Sequence, residues 1–204
     1  MRGVSMITTS DMNVITFDVE TTHIEKSSGG TTALPYFGNQ LVSIGYKPLR
    51  ANVVYDCYYH SAEEQTEGAY HRFQAVLDKC DVLIGHNIKF DLQWIRACGF
   101  EYEGDIYDTM VAEYILSRGQ GWPLNLSAVA RKYGGVQKEK DLVQPYLDAG
   151  HTFYEIPWEI VKEYGEIDVI ATEQVAVSQL EEFETTFEEI YRVKEPSAHV
   201  EAVA

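Results

Sequence analysis

The sequence is poor in basic residues. Only 16 Lys and Arg stand against 32 Asp and Glu among 204 residues, which gives a formal net charge of −16. The overall field of such a chain repels polynucleotides, so the composition excludes a tight, non-specific nucleic-acid binder. A nucleic-acid function therefore needs a local device that overcomes the repulsion, such as divalent cations held by carboxylates.

Cysteine and long apolar runs are also scarce. The three cysteines, Cys57, Cys80 and Cys98, form no C-x-x-C pair, so neither a disulfide framework nor a thiolate zinc site is expected. No run of about 18 apolar residues predicts a membrane span, and the N-terminus shows no secretion signal. We expect a protein of the cytoplasm, or of an equivalent reducing compartment, that is neither secreted nor embedded in a membrane.

The chain does contain short apolar strands. Residues 13–19 form the near-continuous apolar run of a buried central strand. Residues 40–47 and 52–59 predict a hairpin that pairs with it as an antiparallel meander. Residues 81–86 and 105–109 predict two further strands, and the helices between them indicate parallel pairing.

Helical patterns surround these strands. Predicted helices cover residues 62–79, 89–99, 110–116, 124–135, 141–147 and 157–192, the last one bent or split. No repeat or linker divides the chain, so we expect one domain over 12–192, an N-terminal extension at 1–11 and a flexible tail at 193–204. The element order predicts an α/β fold with a mixed sheet covered by helices on both faces.

The first chemical pattern is FDVE. Asp18 and Glu20 lie two positions apart on the central strand and therefore point to the same face of the sheet. Two carboxylates side by side in an apolar strand repel each other and lose solvation, which favours a bound cation. In the alternative, one acid accepts a backbone hydrogen bond and the other is solvated at the strand end.

The second pattern is GHNIKFDL. Asn87 follows a predicted strand and Asp91 lies one helical turn later, so both side chains reach the same edge of the sheet. A purely structural alternative is equally good here. Asn87 is a suitable N-cap, and Asp91 in the first turn complements the helix dipole.

The third pattern is EYGEIDVIAT, in which Tyr164 and Asp168 share a helix face. Alone, this pair is more typical of a half-buried tyrosine beside a solvated aspartate. Together, however, Asp18, Glu20, Asp91 and Asp168 form an all-oxygen ligand set, which favours Mg²⁺ or Mn²⁺ over zinc. Such sets commonly hold two ions roughly 3.5–4 Å apart.

In chain order, FDVE, N-x-x-x-[F/Y]-D and Y-x-x-x-D resemble the three motifs of the DEDDy 3′→5′ exonucleases. That group includes the proofreading domain of family A DNA polymerases and the RNase D-type enzymes. The likeness covers about residues 12–190. The sister group, DEDDh, has a histidine five positions before the last aspartate, where this chain has Glu163. The resemblance implies an RNase H-like fold and release of nucleoside 5′-monophosphates with two Mg²⁺ or Mn²⁺ ions.

The resemblance also implies a role for each matching residue. Asp18 bridges both metals, Glu20 and Asp168 complete the site of the metal that carries the nucleophile, and Asp91 holds the second metal partly through water. Tyr164 orients the attacking water. An unperturbed phenol has a pKa of about 10 and is mostly neutral at pH 7, so orientation is favoured over general-base action.

Substrate contacts are expected around the acids. The resemblance places Asn87 near the terminal nucleotide or a metal-bound water, and Thr21 and Thr22 in a turn that contacts that nucleotide. His86 is a further candidate contact, with a plain strand-end residue as the alternative. Trp122 and Leu124 have two interpretations: a wedge against a base, or a loop anchored by a buried Trp122, which we favour.

Substrate and biological role stay open at this point. RNase D-type chains usually carry further helical RNA-binding domains that this sequence lacks, which favours the 3′ end of single-stranded DNA over RNA as substrate. An RNase D-like exoribonuclease is the nearest alternative, because the two share metals and motifs. The chain is interpreted as a free-standing enzyme, an excised domain or a subunit acting with a separately encoded polymerase or other replication protein. A catalytically silent acidic interaction module is the alternative of another class, and the presence of all four acids and Tyr164 opposes it.

The charge balance also limits phosphate binding. Without a broad basic groove, we expect modest affinity for DNA and a shallow dependence of binding on salt. The candidate phosphate contacts are Lys89, Arg96, Arg118, Arg131, Lys132, Lys138 and Lys140.

Overall fold

A computed structural model describes residues 12–25, 29–136 and 142–192. The extension predicted at 1–11, the tail predicted at 193–204 and the candidate phosphate contacts Lys138 and Lys140 lie outside the described residues.

The described chain forms one mixed sheet and a short ribbon. The strands are β1 (Val14–Thr21), β2 (Ile24–Glu25), β3 (Thr31–Thr32), β4 (Leu41–Pro48), β5 (Val54–Cys57), β6 (Val82–Gly85) and β7 (Asp105–Asp108). The sheet has the order β5-β4-β1-β6-β7, while β2 and β3 pair separately. β1 is antiparallel to β4 and parallel to β6. On the outer sides, β5 is antiparallel to β4, and β7 is parallel to β6. The predicted meander with added parallel strands is confirmed.

The helices cover both faces of the sheet. They are α1 (Ala69–Leu77), α2 (Lys89–Ala97), α3 (Thr109–Leu116), α4 (Leu126–Lys132), α5 (Gln144–Asp148), α6 (Trp158–Glu182) and α7 (Phe187–Arg192). The predicted split of the last helical region is found between α6 and α7. The predicted start of α1 at residue 62 is wrong, because Gly68 has a left-handed backbone, φ 68°, and the helix begins only after it.

Alternate residues of β1 point into two different cores. Ile15 and Phe17 pack with residues of α1 and α2, whereas Val14 packs with residues of α6 such as Leu180. The face of Val14 is therefore also the face of Asp18. This alternation places the acid pair of β1 beneath α6.

The Thr-, Ser- and Gly-rich sequence of residues 20–35 predicts a loop after the central strand, and the structure differs from that prediction. β1 extends to Thr21, and the two-residue strands β2 and β3 pair as a ribbon. Trp94 of α2 fastens the segment that follows, because its indole N–H donates to the carbonyl of Ala33 at 2.9 Å.

None of the helices described is both long enough and apolar enough to cross a membrane.

Candidate active site

Two carboxylates lie on the second half of β1. Glu20 is buried and Asp18 is half-buried. The register between β1 and β4 shifts between Glu20 and Thr21, which marks a bulge of the kind that re-aims side chains next to functional sites. β6 pairs with β1 only as far as Thr16. Asp18 and Glu20 therefore lie on the part of β1 that extends beyond its pairing with β6.

α6 supplies a third acid to the same place. One carboxylate oxygen from each of Asp18, Glu20 and Asp168 lies within 4.8 Å of the others. The contact of α6 with β1 and β4 brings the helix acid onto the strand pair. Residues that are far apart in the sequence thus form one three-acid cluster, which is the name kept for them below.

The fourth predicted acid is tied to the same strand segment. Asp91, in the first turn of α2, is buried, and its Oδ1 accepts a hydrogen bond from the amide of Val19 at 3.2 Å. Burial raises the pKa of Asp91 to about 8, while hydrogen bonds from the amide of Val19 and from its own amide oppose the rise. Asp91 therefore contacts the strand between the two β1 acids without belonging to the three-acid cluster.

The donor set fits a divalent metal ion. All ligand atoms of the three-acid cluster are carboxylate oxygens, the donors preferred by hard cations. Three carboxylates at this distance repel one another, and a bound cation removes that repulsion. The cluster therefore has both the chemistry and the electrostatic need for a metal ion.

Tyr164 lies one helical turn before Asp168 on α6. It is half-buried, and its ring packs against Phe153 with 5.6 Å between the ring centroids. It belongs to a mainly apolar group that also contains Ile156 and Val161. This packing restricts the ring, so the phenol is held on the helix face that also carries Asp168.

The comparison with known families decides the assignment. Residues 6–183 match the family described as 3′-5′ exonuclease. The chain belongs to this exonuclease family. The resemblance drawn from the three motifs is confirmed, and with it the assignment of the chain as a nuclease, a hydrolase with a 3′-5′ exonuclease domain.

Individual relatives agree with the family. A stretch of 84 residues is 34% identical to the DNA polymerase of Bacillus phage SP01 and covers 40% of this chain but only 9% of the polymerase. Escherichia coli RNase D has a TM-score of 0.59 at 16% identity, with 85% of this chain and 40% of that chain covered. Brucella melitensis NrnC with bound Mg²⁺ has a TM-score of 0.57 at 16% identity, with 93% and 85% covered. These two structures share the fold of the exonuclease.

Asn87 has an unusual backbone just after β6. It is exposed, its φ is 60°, and its amide donates to Oδ1 of Asp108 at 3.0 Å. The alternative that Asn87 caps α2 is wrong, because Ile88 occupies the N-cap position and no side chain caps the helix. A strained, exposed residue at a strand end is typical of a functional site. Its contact with a nucleotide stays a prediction.

Asp108 is not among the residues predicted from the sequence, although an Asp directly before a helix is a known capping signal. Its Oδ1 also accepts from the amide of Met110 at 2.9 Å, so it caps α3 while holding Asn87. This single carboxylate therefore fixes two chain segments at the edge of the site.

His86 holds a loop of the exonuclease. Its Nδ1 lies 2.8 Å from the hydroxyl of Thr109, and its Nε2 lies 2.7 Å from the carbonyl oxygen of Leu124. A carbonyl only accepts, so Nε2 donates to Leu124. Burial lowers the pKa of His86, which favours the neutral ring with Nδ1 accepting from Thr109. Both nitrogens are thus bonded to protein atoms, and the predicted contact of His86 with substrate stays untested.

The same loop corrects the expectation for Trp122. The side chain is 52% exposed, so it is not a buried anchor. The loop is fastened instead through the bond between His86 and the carbonyl of Leu124.

Thr21 and Thr22 sit at the end of β1. Thr21 is buried. The hydroxyl of Thr22 accepts from the amide of Gln40 at 2.8 Å and donates to Oδ1 of Asn39 at 3.3 Å. These bonds brace the entry to β4, and the predicted nucleotide contacts of both threonines stay predictions.

Proposed function

We propose that the chain removes nucleotides one at a time from the 3′ end of single-stranded DNA and releases nucleoside 5′-monophosphates. The observation that carries this proposal is the convergence of Asp18, Glu20 and Asp168 within 4.8 Å in a chain of the 3′-5′ exonuclease family. The Asp91 carboxylate, bonded to the strand between the first two acids, supports it.

Two divalent cations, Mg²⁺ or Mn²⁺, would be held by these acids. Asp18, Glu20 and Asp168 would hold one ion, and Asp18 with Asp91 the other. When bound, such a pair activates the attacking water and stabilises the leaving oxygen of a phosphodiester. The phenol of Tyr164 would form a hydrogen bond with that water and orient it, and Asn87 would contact the terminal nucleotide.

DNA is proposed because the relative found by sequence similarity, the Bacillus phage SP01 protein, is a DNA polymerase that is 34% identical over the matched stretch. An RNase D-like exoribonuclease is the second candidate. It is favoured by the shared fold with Escherichia coli RNase D, but at 16% identity this is a weaker likeness. By the same comparison with the phage enzyme, we propose that the exonuclease works beside a DNA polymerase, on the same or a separate chain.

The test is degradation of 5′-labelled strands by the purified chain with Mg²⁺ or Mn²⁺. We expect a ladder that shortens from the 3′ end on DNA, and none when EDTA is present. A parallel RNA strand of the same sequence, a duplex DNA and a strand with a blocked 3′ end are the matched substrates.

The pattern across these substrates separates the candidates. Faster shortening of RNA than of DNA would establish the exoribonuclease instead. Absence of shortening on both strands with either metal would overturn the enzyme assignment and favour the silent interaction module.

A further inference from the structure

One row of residues crosses the sheet beside the three-acid cluster. Asp18 of β1 is opposite Gly45 of β4, and Gly45 is opposite Tyr55 of β5. Directly paired residues project to the same face of a sheet. Because Gly45 has no side chain, the ring of Tyr55 extends across it toward α6.

The ring of Tyr55 fills a slot between two glycines. A Cβ at Gly45 would lie 2.8 Å from Cδ2 of Tyr55. A Cβ at Gly165 of α6 would lie 2.2 Å from the phenol oxygen and 2.4 Å from Cε2. Neither position accepts a side chain while Tyr55 stays in place. Gly165 directly follows Tyr164 and lies three positions before Asp168, so the slot is under the helix turn that carries both.

The hydroxyl of Tyr55 is bonded on both sides of the slot. It lies 2.8 Å from Oγ of Ser43 on β4 and donates to the carbonyl of Val161 on α6 at 3.3 Å. Ser43 is the residue opposite Glu20 on β1. The phenol thus connects the backbone of α6 at Val161 to Ser43, the residue paired with Glu20 of the three-acid cluster.

The surroundings keep this phenol uncharged. Burial raises the pKa of Tyr55 well above its ordinary value, and the charge of Glu20 raises it further, with smaller contributions from Asp18 and Asp168. The side chain is therefore a neutral group next to three acids.

We propose that Tyr55 is a positioning residue that sets the distance between α6 and β1, so that Asp168 meets Asp18 and Glu20 at metal-binding range. Its ring acts as a spacer of fixed thickness, which Gly45 and Gly165 admit, and its hydroxyl fixes the ring to both layers. The inference rests on the proposed function, since it concerns the same metal site.

Mn²⁺ binding, measured by calorimetry on the purified chain, tests the proposal without requiring DNA hydrolysis. Tyr55→Phe keeps the ring and removes both hydroxyl bonds. Gly165→Ala places a methyl group against the ring, although alanine is the better helix former. We expect each change to weaken Mn²⁺ binding by about 10- to 100-fold, and to lower kcat while the KM for DNA stays unchanged. Circular dichroism verifies that the variants are folded.

Rescue and matched controls make the test specific. In the double variant Gly165→Ala with Tyr55→Leu, the smaller leucine leaves room for the methyl group added at position 165. We expect it to bind Mn²⁺ more tightly than Gly165→Ala alone. Tyr58→Phe removes another buried tyrosyl hydroxyl, and Glu181→Ala changes an exposed position on α6, the helix of Gly165. Both controls should bind Mn²⁺ as the unchanged chain does.

The outcomes separate this inference from the proposed function. Wild-type Mn²⁺ affinity in both Tyr55→Phe and Gly165→Ala would overturn the positioning role alone. If the unchanged chain binds Mn²⁺ but does not shorten DNA, the proposed function fails, and the variants still test the spacing of the site. A chain that binds no Mn²⁺ would overturn both.

Discussion

At the scale of single residues, the three-acid cluster is unfavourable without a cation. Each pair of charges within 4.8 Å repels by on the order of 3 kcal/mol at an effective dielectric constant of about 20. Glu20, which is buried, has little water to screen this repulsion. A metal ion that binds the folded chain should therefore raise its stability measurably.

The first prediction concerns Asp168 and metal-dependent stability. With Mn²⁺ at about 100 times its Kd, the free energy of unfolding rises by about 2.7 kcal/mol, which for a chain of 204 residues raises Tm by roughly 5–10 °C. Asp168→Ala removes a ligand, so we expect it to abolish this rise. We also expect exonuclease activity to fall by more than about 100-fold, because loss of a residue that only supports a metal ligand already costs about 10- to 100-fold. Thermal melts with Mn²⁺ and with EDTA measure the rise.

Asp78→Ala is the matched control for Asp168→Ala. Asp78 is exposed at the end of α1, and its loss should leave the Mn²⁺-dependent rise in Tm intact. An Asp168→Ala chain that keeps both the rise and the activity would show that the metal site lies elsewhere.

The second prediction concerns the Tyr164 hydroxyl. If the phenol orients water and does not remove its proton, Tyr164→Phe should lower kcat by less than the factor of about 100 that marks the low end of general-base catalysis, with KM unchanged. Single-turnover degradation of labelled DNA measures the rate. Tyr70→Phe, which loses one hydrogen bond to the carbonyl of Gly99, should leave it unchanged. A loss of about 10⁴-fold would instead assign proton transfer to the phenol.

Residue patterns predict part of the site and miss the rest for a physical reason. Asp18, Glu20 and Asp168 stand in short motifs whose spacing follows strand and helix geometry. Tyr55 lies on β5, two strands away from Asp18, and its ring crosses Gly45 to contact α6. No local sequence spacing predicts that contact. The capping assignment of Asn87 failed because composition does not specify a left-handed φ of 60°.

At the scale of elements, burial decides how well the sequence predicts structure. β1, β4 and β6 are almost wholly buried, so their apolar runs mark them within a few residues. The β2–β3 ribbon has two residues in each strand and is mostly exposed. It carries no periodic signal, which is why residues 20–35 resembled a loop. The start of α1 was misjudged because the backbone of Gly68, rather than hydrophobic spacing, sets it.

The third prediction concerns the attachment of α6 to β4. Lys47 and Glu173 form an ion pair with both side chains only 11% exposed, and Glu173 also accepts from the amide of Arg50 at 3.0 Å. Glu173→Ala leaves the ammonium buried without this partner, so the free energy of unfolding should fall by about 3–5 kcal/mol. Urea unfolding measures the change.

The matched control is Glu159→Ala, at an exposed position in the first turn of the same helix. We expect a change of about 0.5 kcal/mol or less there. A similarly small change for Glu173→Ala would contradict the role given to the buried pair.

At the scale of the whole molecule, the net charge of −16 opposes binding of the DNA strand proposed as substrate. One of the seven candidate phosphate contacts, Lys132, lies 3.0 Å from Glu113 and 3.1 Å from Glu182. Those pairings already neutralise it. In the proposed function, affinity for a strand therefore rests on the metal site and on short-range contacts at the end of β6.

The last prediction follows from this scarcity of available cations. For single strands, the slope of log K against log salt concentration is about −0.7 for each neutralised phosphate, so one to three contacts give a slope no steeper than about −2. Anisotropy of a labelled strand with hydrolysis-resistant 3′-terminal linkages, titrated with the unchanged chain in Mg²⁺ at several KCl concentrations, measures it. Lys89→Gln, just past the carboxyl end of β6, should make the slope shallower by about 0.7, whereas Lys79→Gln, exposed before the other end of β6, should not change it. A slope steeper than about −4 would mean that many more phosphates are neutralised, and the acidic surface would then have to include a basic channel for the strand.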